Sequence, residues 1–113
     1  MDKLTDYQTI VENYLDQVKA FYQSPESPTE FAVMSSHKNR HFQLLEFGHT
    51  DEDYVFTVYM HFHVGSDGLV TLIANNTEQE PFEQLIEAGV DKDDLRIGWL
   101  EPAYYASLER ISA

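Results

Sequence analysis

His61 and His63 stand one residue apart in the stretch Tyr59-Met60-His61-Phe62-His63-Val64-Gly65. Imidazole titrates near neutral pH, so it can serve as a general base, as a metal ligand or as a polar group on a wet surface. Side chains alternate along a strand, so residues two apart share a face. Two ligands from one strand can grip a metal, yet a zinc or iron centre needs at least a third from the protein. His37, His41, Glu46 and His49 are candidates for that third ligand, and none has a spacing that specifies contact. No nucleophile motif, phosphate-cradling glycine loop or telling acid–base pair accompanies the histidines. The chain has no cysteine. That removes disulfides, thiolate nucleophiles and the common structural zinc clusters. Three readings remain for the pair: an exposed polar sheet face as the default, a docking face, or a small metal- or histidine-dependent enzyme.

The histidines belong to the longest expected strand, Tyr54–Val64. Its alternation puts Tyr54, Phe56, Val58, Met60, Phe62 and Val64 on one apolar face, which is expected to meet the core. Val55, Thr57, Tyr59, His61 and His63 fall on the other. With Leu69, Thr71 and Ile73 that second face could receive a protein partner or a second copy. Ahead of it, Leu4, Tyr7, Ile10, Val11, Tyr14, Leu15, Val18, Phe21 and Tyr22 recur at the spacing of one helix face. Asp2 or Thr5 can cap that helix, Lys19 suits its carbonyl end, and Ser24-Pro25-Glu26-Ser27-Pro28 ends it. Strands are expected over 31–34, 41–47 and 69–74 as well, with a hairpin at Gly65-Ser66-Asp67-Gly68. Short connections predict an antiparallel meander of about four strands.

The last third changes period. Pro81–Ala88 predicts a short helix closed by Gly89. Thr77-Glu78-Gln79-Glu80 also reads as a capping box, and the two starts compete. Residues 91–95 suggest one more helical turn, and the stretch from Pro102 onward a final short helix. The whole, 1–113, reads as a single α+β domain: an N-terminal helix, the sheet, and short C-terminal helices.

Composition narrows the function. The chain has 113 residues, of which 42% are hydrophobic and 13% aromatic, enough for one packed core. Twenty acids face seven bases, a formal charge of −13. Nucleic-acid binding rests on Lys and Arg displacing phosphate counterions, and here they are few and scattered. Direct binding to DNA or to an anionic membrane is not expected. The N-terminus lacks the layout of a signal peptide and no run is long enough to cross a bilayer, so a cytoplasmic protein is expected. Glu78, Glu80, Glu83, Glu87, Asp91, Asp93 and Asp94 form a dense acidic patch, either a solvated helix face or a dock for a basic partner. Trp99 could anchor an interface, although core coverage is the commoner use of a lone tryptophan.

Several stretches in fixed order carry a family resemblance. They are Asp67-Gly68, Thr77-Glu78, Leu85-Ile86-Glu87-Ala88-Gly89-Val90, Lys92-Asp93-Asp94-Leu95 and Ile97-Gly98-Trp99, with Met1-Asp2-Lys3-Leu4, Arg40-His41-Phe42-Gln43-Leu44-Leu45 and His61-Phe62-His63-Val64 upstream. Together they resemble the XisI-like family, the fdxN-element excision controlling factor proteins, over nearly the whole chain. Asn75-Asn76 stands where that family commonly has Asp-Gly, Asp91 where it has proline, and His49 where a tryptophan is frequent. The resemblance implies an α+β domain acting in cyanobacterial DNA-element excision beside a companion, XisH, while a separate recombinase cuts and joins. It assigns no catalytic residues. The expectation is therefore a non-enzymatic controlling factor without cofactor or metal, which binds an XisH-like protein. Its partner-surface candidates are Tyr59, His61, His63, Glu78 and Trp99, and a homodimer through the same face is the further possibility.

Overall fold

A computed structural model of the chain describes residues 2–100. Helix α1 spans Lys3–Tyr22, and the Asp2 side chain caps it by accepting from the Thr5 amide at 2.9 Å. It buries Tyr7, Val11, Tyr14, Leu15 and Val18, the middle of the expected face. Phe21, one turn past the buried stripe, is exposed and rests edge-on against Tyr22. Gln23 ends the helix and ties it to the sheet. Its amide donates to the Lys19 carbonyl, and its Oε1 accepts from the Phe31 amide at 2.8 Å.

The sheet contains β1 (Glu30–Ser36), β2 (His41–His49), β3 (Tyr54–Val64), β4 (Val70–Asn75) and β5 (Leu95–Ile97), in that spatial order. The first four form the antiparallel meander, and β5 pairs with β4 in parallel. The sheet thus has five strands where about four were expected. A three-residue strand shows no period of its own, and the sequence places Leu95 at the end of a helical turn. That turn is a single 3₁₀ turn, Lys92–Asp94, and helix α2 (Pro81–Ala88) with it makes the crossover. Pro81 takes the first helical position and Gly89 closes the helix at φ 123. The capping box does not form: Thr77 Oγ1 instead accepts from the Gln79 amide and donates to Asn75 Oδ1. The helix expected from Pro102 onward lies outside the described residues.

Both helices cover one face of the sheet. Phe42, Leu44, Met60, Phe62, Val64, Val70 and Leu72 point into this layer, where they meet α1 and Leu85, Val90 and Leu95. The alternation of β3 is not continuous. Leu44 pairs with Met60 but Leu45 pairs with Val58, so Tyr59 is an extra residue, a β-bulge. Beyond the bulge Met60, Phe62 and Val64 face the core as expected. Before it the faces exchange: Tyr54 and Phe56, expected in the core, are 60% and 61% exposed. Tyr59, expected beside the histidines, instead packs edge-on against Tyr22 and Phe31 on the helix side, and its hydroxyl donates to Glu46 Oε1.

Candidate functional site: the open face of the sheet

Cross-strand partners share a face, so the pairings define what the side left open by the described residues carries. Ser36, Met34 and Ala32 of β1 stand beside His41, Gln43 and Leu45 of β2. His63, His61, Val58 and Phe56 of β3 stand beside His41, Gln43, Leu45 and Phe47. Thr71 and Ala74 of β4 complete the row next to His63 and His61. A second bulge at Ile73 leaves that side chain exposed. The face therefore has a polar end of histidines and a glutamine and an apolar end of Leu45, Phe47, Phe56 and Val58, with Tyr54 meeting His49 edge-on at the rim.

Three imidazoles meet at the polar end. His41 Nδ1 lies 2.9 Å from His61 Nε2, and the His41 and His63 rings are 4.4 Å apart at 30°. Gln43 Oε1 lies 3.0 Å from His61 Nδ1. An amide oxygen can only accept, which assigns the Nδ1 proton to His61. The neutral ring then presents the lone pair of Nε2, and His41 Nδ1–H donates to it. The chain of bonds runs from His41 through His61 to Gln43 and needs no charge on His61. Burial, then the neighbouring His41 and His63, hold His61 below the ordinary imidazole range. His63 is lowered by burial first, then by His41 and Arg40, with Asp67 opposing.

These shifts set a pH dependence. Both groups bind their proton less readily in the folded chain than at the unfolded value of about 6.5. As pH falls through that value the unfolded chain takes up protons first, so stability is fully present above it and declines below. Thermal melts from pH 7.5 to about 5.5 will show a falling midpoint, and a His61→Gln/His63→Gln double variant will show a shallower fall. Equal slopes in the two proteins would contradict the assignment.

The cluster can relay or hold a proton. Among the described residues no group of three or more His, Asp or Glu could hold a metal ion. Clefts of about 770, 580 and 320 Å³ lie at the end of α1, between α1 and Gly89, and beside Trp99, and none is lined by these histidines. Trp99, expected to cover the core, is 60% exposed and lines the smallest cleft with Leu72, Phe82 and Ile97. Glu78 is exposed in the turn before α2. Of the five expected surface residues, the structure brings His61 and His63 together, sets Tyr59 on the opposite side, and leaves Glu78 and Trp99 apart from the histidines. His41 and Gln43 complete the cluster. Their matching alternation in β2 was visible in the sequence, but their pairing with β3 depends on a register the sequence does not state.

The sequence profile of the XisI protein family matches residues 1–109. A crystal structure of a XisI-like protein from Anabaena variabilis superimposes with a TM-score of 0.79 at 25% identity, over 88% of this chain and 90% of that one. The crystal structure of the fdxN element excision controlling factor XisI from Anabaena variabilis superimposes with a TM-score of 0.75 at 16% identity, over 91% and 98%. Comparison with curated proteins finds no match.

Proposed function

The chain belongs to the XisI protein family, and on that premise we propose that it is an accessory protein controlling excision of a DNA element. It works by contact with a protein partner and leaves strand cutting and joining to others. The observation that carries this reading is the family match across residues 1–109, whose fold is shared with an excision controlling factor. The surface chemistry supports it. A charge of −13 repels a phosphate backbone, so any action at DNA passes through another protein.

The partner proposed is an XisH-like protein, met by the acidic side of the molecule. Glu78, Glu83, Glu87, Asp91 and Asp93 are all exposed there, around α2 and the 3₁₀ turn. Complementary charge speeds such an encounter and selects the partner. No helix among the described residues is long and apolar enough to cross a membrane, and the proposed site of action is the cytoplasm.

The test is excision itself, read by amplification across the rejoined junction in cells lacking the chain. Wild type and a His41→Ala/His61→Ala/His63→Ala variant will both restore it. A Glu83→Lys/Glu87→Lys variant that remains folded will not. Loss of excision in the folded histidine variant, with the lysine variant active, would overturn the reading in favour of histidine chemistry.

A further inference from the structure

Charge is divided unevenly over the molecule. Within the strands Glu30, at the end of edge strand β1, is the one carboxylate on the open sheet face, and Arg96, at the far edge, is the one fixed cation. Arg40 and Asp67 border the face closely enough to act on His63, and the other strand positions there carry no fixed charge. The face also exposes large apolar groups: Met34 is 53% exposed, Phe56 61% and Ile73 42%. Among the described residues the strands place a single carboxylate on this face and leave aromatic and aliphatic side chains exposed there.

We propose that the open sheet face is the interface of a homodimer. A basic partner finds almost no carboxylate to pair with there, and an acidic one finds a single guanidinium. The face fits an apolar, uncharged surface, and this chain presents one. Two molecules that each carry −13 can touch closely only where the carboxylates are missing. At the polar end the bonds from His41 through His61 to Gln43 form without any charge on His61.

Area is consistent with that occupant. Strands of 7, 9, 11 and 6 residues, at about 3.3 Å per residue and 4.8 Å between strands, make a face of about 500 Å² in projection. Side-chain relief raises the accessible area above the projection, so two copies reach the roughly 1,200 Å² at which specific interfaces begin. A two-fold axis sets the same patch against itself, and paired sheets stack about 10 Å apart with interdigitating side chains.

The experiment is sedimentation equilibrium on the full chain at about 50 mM and 500 mM salt. A species of twice the 13.1 kDa chain mass is expected, with tighter association at the higher salt because screening relieves the mutual repulsion. Phe56→Glu will weaken association at least tenfold, about 1.4 kcal/mol, while the protomer keeps its fold by circular dichroism, since the ring is exposed in the protomer. Phe21→Glu, on the helix side, will remain dimeric. A monomer at every concentration and salt, a dimer untouched by Phe56→Glu, or one broken by Phe21→Glu would overturn the proposal. A monomer that still binds an XisH-like protein would overturn it and leave the functional reading intact.

Discussion

Phe62→Ala will lower the free energy of unfolding by about 3–5 kcal/mol. Phe62 is fully buried near the C-terminal end of β3. Its cross-strand neighbours are Phe42 and Leu72, and Tyr14 of α1 meets its ring edge-on at 6.3 Å. Truncation removes the transfer energy of the ring and leaves a cavity between a five-stranded sheet and a helix held by other contacts, which limits collapse. Phe56→Ala, the same change six residues earlier in the same strand, will cost a small fraction of that in the dissociated protomer, where its ring is exposed, so both variants are compared at concentrations that keep the chain monomeric. Urea titration of the two variants reads the difference directly. Similar losses would mean that the bulge at Tyr59 does not exchange the faces of β3.

Tyr7→Phe will destabilise the chain by about 1–3 kcal/mol. The ring stays and the hydroxyl goes, so the packing term is nearly unchanged. The hydroxyl donates to Asp94 Oδ2 at 2.6 Å and accepts from the Asp91 amide at 3.1 Å. Lys3 Nζ reaches the same Asp94 oxygen at 2.8 Å. This knot fastens the first turn of α1 to the 3₁₀ turn that leads into β5. Burial and the Asp94 hydrogen bond raise the Tyr7 pKa, so the group is an O–H donor at neutral pH. Removing it strands a backbone donor on Asp91 and one hydrogen bond of Asp94. Hydrogen exchange will show the loss of protection concentrated at 91–97. Lys3→Met, which removes only an exposed ion-pair partner, will have a smaller effect. Uniform loss across the whole sheet in Tyr7→Phe would contradict the local role.

Much of this architecture follows from periods long enough to read. The stripe from Tyr7 to Val18, the Asp2 cap and the Pro81-to-Gly89 helix are local devices, and each appears where residue chemistry places it. Three features depend on pairing between strands and could not be read. The first is the bulge at Tyr59, which reverses a regular alternation without any glycine or proline to mark it. The second is β5, too short for a pattern and made a strand by its parallel contact with β4. The third is the histidine cluster. The sequence shows His61 and His63 on one face, but His41 joins them only because β2 and β3 align in that register. Trp99 belongs with these. It follows Gly98, whose amide donates to the Leu72 carbonyl and where an added Cβ would lie 3.1 Å from that oxygen, a pairing with β4 that the sequence does not state.

The protein is proposed to act by contact with another protein. Capture of an XisH-like protein by the tagged chain, at low and at high salt, tests that claim most directly. A complex retained at low salt and released at high salt is the expected result, since the proposed contact rests on exposed carboxylates. Absence of a retained complex at either salt would contradict it.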